Sequence, residues 1–278
     1  MAPEATATSI PLEARLDQIW QRLDLVMDPE LDEPVTDMGF VEAVTTDAGG
    51  GVQVTFRLPT YWCSPNFAFL MAQGIRREVE VLPWVTKAEV QIQDHMDAAE
   101  MSAVVNSGGL FSDVFNELTK GEDLTALREK FDLKAFQRRQ EVVIKAVMAL
   151  GYSAAAVVAM PLIDLQQMSL TDPEAEKQRQ RYLTLLLTKG IAAKGTDLAL
   201  PTYQGAALTE ADFGDYMNLL RSVRINMEFS GSLCRGLKHS RYQELVPGSD
   251  GLTLVDFLPA PGPAPHEIQL TTQAKHCG

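Results

Sequence analysis

The sequence predicts an α+β fold in which a small two-layer domain is followed by a mainly α-helical part. Two observations lead to this prediction. Within the first hundred residues, segments in which apolar residues alternate with a period of two occur among segments of helical periodicity. After about residue 100 the alternation stops, and only helical patterns remain.

The first predicted helix and hairpin follow directly from local patterns. Apolar residues recur at helical spacing from Leu12 to Val26, and we expect this helix to end before Asp28-Pro29, since the residue before a proline avoids the helical conformation. Segments 40–47 and 51–58 are predicted to form a β-hairpin, because the second alternates strictly and the glycine-rich DAGGG joins them.

One more helix and one more strand complete the first domain. Pro65 begins a helical pattern that extends to Pro83, and residues 87–94 alternate again as a third strand. The first hundred residues therefore predict the order α-β-β-α-β. This order is typical of a compact two-layer unit.

The rest of the chain is predicted to be helical, with an interruption near its end. Gly231 and Gly236 are expected to break the last helix. The predicted helical segments are 111–118, a segment near 123–131, 133–150, 171–190 and a helix that begins at the Thr209–Asp212 cap. The predicted organisation is a disordered tail (1–11), the α-β domain (12–100), a helical module (101–246) and a tail rich in proline and glycine (247–278).

Charge and composition exclude several classes of protein. The 278 residues carry a net charge of −13, of which the first hundred, with 17 acidic and 6 basic residues, hold −11. Such acidity repels nucleic-acid phosphates, and we expect no nucleic-acid partner. No stretch has the length and apolarity of a membrane span, and the N-terminus does not resemble a signal peptide, so we expect a cytoplasmic protein without a membrane partner.

Cysteine usage and motifs argue against a self-sufficient enzyme. Cys63, Cys234 and Cys277 are far apart and form no CxxC pair, which favours reduced thiols over a disulfide framework. Nucleophile-elbow, phosphate-loop and zinc-protease motifs are absent from the sequence. A thiol enzyme with Cys63 as nucleophile would need a base, and His95 is the only histidine of the first domain. We therefore predict that the protein is not an enzyme.

Three short motifs in a fixed order give the sequence a resemblance. They are Asp28-Pro29-Glu30, Asp37-Met38-Gly39, and Pro59-Thr60-Tyr61 followed by Cys63. Over residues 12–97 the chain resembles the metal–sulfur (iron–sulfur) cluster assembly family that contains SufT and PaaD. The remainder is similar to larger accessory proteins of soluble diiron monooxygenases. The family fold agrees with the α-β-β-α-β order that the periodicity predicts.

The resemblance singles out Cys63 and the acidic turn as candidate metal ligands. Cys63 lies where a strand ends and a helix begins, and the positive end of a helix favours a thiolate. The resemblance implies that Asp28 and Glu30 lie close to this cysteine, and a carboxylate beside a thiolate suits iron or zinc. The alternatives are a small buried hydrophobic residue for Cys63 and a solvated turn for the two acids.

Further residues are candidates with equally simple alternatives. Thr60 is placed to hydrogen-bond the thiolate or, alternatively, only to form the turn. His95, at the end of the third strand, is either an additional ligand or a structural histidine. Cys234 is either a second ligand, a partner contact or a buried thiol. His276 and Cys277, just before Gly278, are a pair that can bind metal or remain inert.

The resulting hypothesis is a maturation factor for a metalloenzyme. Its expected client is the hydroxylase of a bacterial soluble diiron monooxygenase, and the expected cargo at Cys63 is iron, or alternatively zinc or a transient iron–sulfur cluster. The main alternative is a metal-free protein-binding module with a structural Cys63. A general iron–sulfur cluster assembly factor is a further alternative. The sequence does not define an oligomeric state.

Overall fold

The computed structural model describes residues 10–119 and 124–242. The predicted C-terminal tail, with His276 and Cys277, and nearly all of the predicted N-terminal tail lie outside the described residues. The elements of the first part are α1 (Leu12–Leu23), β1 (Met27–Asp28), β2 (Glu33–Pro34), β3 (Val41–Thr46), β4 (Gly51–Arg57), α2 (Pro65–Glu80), β5 (Lys87–Gln93), α3 (Ala98–Ser107) and α4 (Phe111–Thr119). Those that follow are α5 (Thr125–Ala149), α6 (Ala154–Val158), α7 (Leu162–Gln167), α8 (Pro173–Thr188) and α9 (Phe213–Tyr242).

The predicted α+β fold is confirmed, with the sheet at its expected place. The strand order is β3-β4-β5, in which β3 and β4 are antiparallel and β4 and β5 are parallel. Parallel neighbours need a crossover connection, and α2 supplies it. Val54 at the centre of β4 pairs with Val44 on one side and Val90 on the other.

The period-two alternation of the strands places their apolar side chains in the first core. On β4 and β5 every second residue is buried beneath α2 (Val52, Val54, Phe56, Ala88, Val90 and Ile92). The core also includes residues beyond position 100, namely Met101, Val105, Phe111 and Leu124. Helix α3 packs directly on β5 and α2. The first core therefore uses side chains from both sides of residue 100.

The end of α1 differs from the sequence prediction. The helix ends at Leu23, because the following residues form a second, two-stranded sheet in which Met27 pairs with Pro34 and Asp28 with Glu33. The N–H of Val35 also donates to the carbonyl of Val26 at 2.9 Å. Strands of two residues have no detectable period, so the sequence pattern did not reveal them. Their turn carries Asp28 and Glu30.

A second core forms among α5, α8 and α9 around buried Phe136 and Tyr182. The Tyr182 hydroxyl donates to the carbonyl of Ala199 at 2.9 Å and accepts from Gln140 Nε2 at 3.0 Å. Complete satisfaction of these buried polar groups favours one arrangement of the helices. The helices predicted near 123–131 and at 133–150 are joined in the single helix α5.

The expected break of the last helix at Gly231 and Gly236 is wrong, since α9 continues through both glycines to Tyr242. Gly231 is buried, and a Cβ added there would lie 3.3 Å from Oε1 of Glu33. A glycine in a helix costs about 1 kcal/mol relative to alanine. Here its missing side chain lets α9 lie close to the β1-β2 turn. Across residues 10–119 and 124–242, helices that combine the length and apolarity of a membrane span are absent.

Candidate functional site

Cys63 lies in the short connection between β4 and α2. Ser64 is the N-cap of α2 and Pro65 its first residue, so the helix begins immediately after the cysteine. The Sγ atom of Cys63 lies 3.0 Å from Oγ1 of Thr60, and the N–H of Cys63 donates to the carbonyl of Thr60 at 3.3 Å. When the sulfur is a thiolate, the hydroxyl is the only possible donor of the pair. Cys63 is half-buried and packs against the first core.

His95 fastens the backbone of Cys63. Its Nδ1 accepts the N–H of Asp97 at 3.1 Å, so the ring proton is on Nε2, which lies 2.7 Å from the carbonyl oxygen of Cys63. The neighbouring N–H of Met96 donates to the carbonyl of Tyr61 at 3.0 Å. Both ring nitrogens of buried His95 are therefore engaged. This disagrees with its predicted use as an additional metal ligand, and we assign it a positioning role.

Asp28 is buried at the end of β1. Its Oδ1 accepts from the N–H groups of Glu30 at 2.8 Å and Leu31 at 3.0 Å. Burial raises the pKa of Asp28 to about 6 against the opposing effect of these two donors, and the charges of Glu30 and Glu33 raise it further. A buried carboxyl group with a raised pKa, which is more stable in its neutral form, is typical of a functional site.

A second aspartate of the same turn connects it to the helical part. Asp32 is buried and has a φ of 53°. Arg139 of α5 binds its carboxylate with two hydrogen bonds, and Arg138 donates to its carbonyl at 3.0 Å. Nothing in the local sequence distinguishes Asp32 from the other acids of DPELDEP, because its partners lie more than a hundred residues away.

Helix α9 brings Cys234 to this region. Cys234 is half-buried and packs against the same core as Cys63. Its burial raises the pKa of the Cys234 thiol to about 11, and Asp28, Cys63 and Glu30 contribute to the shift in that order, against an opposing effect of Arg235. Cys234 is therefore a neutral thiol at neutral pH. The two thiols and the acidic turn, predicted separately along the chain, share one neighbourhood.

The terminal segment of α9 (residues 231–242) is bound to the first hundred residues through its basic side chains. Arg235 forms an ion pair with Glu33, Lys238 lies 3.0 Å from Glu42, and Arg241 lies 3.1 Å from Asp94. The Tyr242 hydroxyl adds a hydrogen bond of 2.7 Å to Asp94 and one of 3.2 Å to the carbonyl of Leu58. Part of the strong negative charge of the first hundred residues thus pairs with the protein's own last described helix.

Two aromatic side chains beside Cys63 face solvent. Trp62 and Tyr61 are exposed, and the guanidinium carbon of Arg241 lies 5.9 Å from the centroid of the Trp62 ring. Large exposed aromatic residues next to a candidate site are typical contact points for another protein.

The donor set suits iron or zinc by chemistry but does not form a closed site. Thiols and carboxylates are ligands for both metals. Within the described part of the chain, however, three or more such residues do not converge in a way that could hold an ion. One oxygen of Asp28 already accepts two backbone hydrogen bonds. Asp28, Cys63 and Glu30 are therefore close enough to Cys234 to influence its thiol, but the four residues do not form a metal site among the described residues.

Comparison with known proteins relates one part of the chain to a known protein family. Residues 16–92 match the family described as iron–sulfur cluster assembly protein, and this range contains Asp28, Glu30, Thr60 and Cys63. The resemblance that the motifs predict is confirmed, and it indicates a function of the iron–sulfur cluster assembly type. Cys234 and His95 lie outside the matched range.

One solved structure is similar to about a third of the chain. It is the crystal structure of a domain of unknown function, DUF59, from Bacillus anthracis, with 22% sequence identity, coverage of 35% of this chain and 92% of that chain, and a TM-score of 0.28. A search of curated proteins found no match.

Proposed function

We propose that this protein is a maturation factor that carries iron, or a small iron–sulfur unit, at Cys63 and Cys234 and delivers it to a client metalloenzyme. The observation that carries the proposal is the placement of Cys234. A thiol about 170 residues away in the sequence is brought by α9 into the neighbourhood of Cys63 and the Asp28–Glu30 turn. The family match of residues 16–92 supports the same class of function.

The open arrangement of donors favours a cargo in transit over a resident cofactor. A permanent site surrounds its metal with protein ligands, whereas these donors leave positions for ligands from a client. Cys234 has a pKa near 11 and must lose its proton to bind a metal. Metal uptake should therefore strengthen as the pH rises through the neutral range. His95 and Thr60 would hold the backbone and the sulfur of Cys63 in place.

We propose the hydroxylase of a soluble diiron monooxygenase as the client. This choice is supported by the resemblance between the helical part of the chain and accessory proteins of such enzymes. Co-expression of the hydroxylase with and without this protein tests it. We expect several-fold more iron per hydroxylase with the factor present. Equal iron content and activity in both cases would exclude this client.

Anaerobic titration with Fe(II) tests the site itself. We expect the substitutions Cys63→Ser and Cys234→Ser each to weaken iron binding at least tenfold, because a neutral hydroxyl is a much poorer ligand than a thiolate. The fold should persist, since both positions are half-buried and Thr60 offers the Cys63→Ser hydroxyl a partner. Cys277→Ser is titrated alongside and should bind like the wild type; weakened binding in this variant alone would move the iron to the His276-Cys277 pair. Unchanged binding in both site variants would contradict the proposal.

The metal-free binding module is the second candidate, and the exposed aromatic side chains of Tyr61 and Trp62 beside Cys63 favour it. In this case Cys63 and Cys234 are packing residues of the first core. The double variant Cys63→Ala/Cys234→Ala separates the two functions. Full activation of the client by the double variant would support the module, whereas loss of iron transfer with retained client binding would support the maturation factor.

A further inference from the structure

A cavity of about 630 Å³ lies where α2 meets the end of α3 and the beginnings of α4 and α5. This volume falls within the roughly 300–1,000 Å³ of sites that hold small organic molecules. The described residues that line the cavity do not include Cys63, Cys234, Asp28 or Glu30. The cavity is therefore separate from the proposed cargo site. We call it the α2 cavity.

Part of the lining of the α2 cavity is apolar. It consists of the side chains of Phe69, Leu70, Val105, Leu110 and Phe111. Phe69 and Phe111 are buried and meet edge to face, with their ring centroids 5.4 Å apart. Leu110 is 52% exposed. An apolar group that covered this surface would remove it from water, which is favourable.

The charged part of the lining has a surplus of positive charge. Three arginines, Arg76, Arg77 and Arg128, line the α2 cavity together with one carboxylate, that of Glu80. Arg76 forms an ion pair of 2.8 Å with Glu80, so these two charges compensate each other. Arg128 donates from Nη2 to Oε1 of Gln73 at 2.6 Å. Since this amide oxygen is uncharged, the contact does not neutralise the charge of Arg128.

Arg77 is also incompletely compensated. It lies 3.3 Å from Glu78, but Arg22 binds the same carboxylate more closely, so two arginines share one negative charge. The positive lining occurs in an acidic context, because the first hundred residues have a net charge of −11. At physiological salt, exposed charges more than about 8 Å apart are largely screened. For a small ligand the nearby arginines therefore outweigh the distant acidic residues.

We propose that the α2 cavity binds a small organic acid, whose apolar body lies against Phe69, Leu110 and Phe111 and whose carboxylate pairs with Arg77 and Arg128. Guanidinium groups match the planar geometry of a carboxylate. A neutral apolar molecule would leave the positive charges uncompensated, and an inorganic anion would leave the apolar side chains uncovered. An acid with an apolar body satisfies both parts of the lining. The binding does not depend on the metal cargo.

Octanoate is the first probe, and its binding to the full-length protein is measured by isothermal titration calorimetry. Octanol has the same body without the charge, and acetate has the charge without the body, so each should bind at least tenfold more weakly. Octanoate binding should also weaken as the salt concentration rises, since ions screen the pairing with arginine. Undetectable binding of millimolar octanoate, equal binding of octanoate and octanol, or binding that strengthens with salt would overturn the proposal.

Charge variants locate the binding. Arg77→Gln and Arg128→Gln should each weaken octanoate binding at least fivefold, whereas Glu80→Gln should strengthen it at least twofold by releasing Arg76. The side chains of Arg77 and Glu80 are 71% and 43% exposed, so these two variants should fold and decide the matter even if Arg128→Gln is unstable. Arg221→Gln, at an exposed arginine of α9 outside the cavity, is the matched control. Wild-type affinity in Arg77→Gln and Glu80→Gln, or an equal loss in the control, would refute the site.

Discussion

Arg139 on α5 holds the carboxylate of Asp32 with two parallel hydrogen bonds, from Nε to Oδ2 at 2.8 Å and from Nη2 to Oδ1 at 2.5 Å. Asp32 belongs to the turn that also carries Asp28 and Glu30. The helical part of the chain thus fixes the acidic turn of the candidate site through this buried ion pair. Its two-bond geometry specifies position as well as charge.

The substitution Asp32→Ala should therefore lower the free energy of unfolding by about 3 kcal/mol or more, since removal of one partner leaves a buried charge unpaired. Asp32→Asn should cost less, because asparagine tolerates the positive φ and still accepts a hydrogen bond. Urea unfolding measures both. Glu89→Ala is the control, since its pair with Lys87 is exposed and should contribute less than about 1 kcal/mol. Equal losses for Asp32→Ala and Glu89→Ala would refute the structural role of the buried pair.

Because the pKa of Asp28 is raised, we expect the stability of the fold to depend on pH. Because the folded-state pKa of about 6 lies above the ordinary 3.8, protonation stabilises the fold. This contribution is complete below pH 3.8 and is lost as the pH rises towards 6. Asp28→Asn stays neutral and can accept the same two N–H groups. At pH 7 the free energy of unfolding of Asp28→Asn should exceed that of the wild type by up to about 3 kcal/mol, since each pKa unit corresponds to about 1.4 kcal/mol.

Urea unfolding at two pH values checks this prediction. The advantage of Asp28→Asn should shrink at pH 4, where the wild-type carboxyl is largely protonated in the folded state. If the carboxylate serves the cargo, the same variant should bind iron more weakly at pH 7. If Asp28→Asn is less stable than the wild type at pH 7, burial of the charged carboxylate does not destabilise the fold as predicted.

Thr60 should influence metal binding through its hydroxyl. Thr60→Val keeps the shape but removes the group that lies 3.0 Å from Cys63 Sγ, so we expect iron affinity to fall by about tenfold or more, the equivalent of about 1.5 kcal/mol or more for one hydrogen bond to a charged atom. Thr60→Ser retains the hydroxyl and is the control. Anaerobic titrations of the two variants give the comparison. Identical affinities would mean that this contact serves only the turn.

The terminal segment of α9 should open locally in salt. Its ion pairs to the first domain are partly exposed, and such pairs contribute at most about 1 kcal/mol each and are screened by ions. We expect amide hydrogen exchange within 231–242 to accelerate severalfold between 0.05 and 1 M salt. Exchange at the centre of α5, which the second core covers, should stay constant and serves as the internal control. Equal acceleration in both helices would indicate global unfolding.

Features that depend on residues close together in the sequence could be predicted from the sequence. The strands β3, β4 and β5 and helix α2 follow from periodicity, and Thr60 and Cys63 lie within one short motif. The two-residue strands, the Asp32–Arg139 pair and the approach of Cys234 depend on tertiary contacts between distant segments. Local patterns contain no information on which of many acids meets which arginine. The continuity of α9 through Gly231 likewise results from packing that outweighs helix propensity.

The long sequence separation between the two thiols also sets an order of events during synthesis. Cys63 leaves the ribosome about 170 residues before Cys234, which at a typical rate of 5–20 residues per second is roughly 10 to 30 s. During that interval the nascent chain has the strand–turn–helix segment of Cys63 but not the second thiol or the basic side chains of α9. The proposed cargo site of a freshly made chain would therefore be complete only when its last described helix docks.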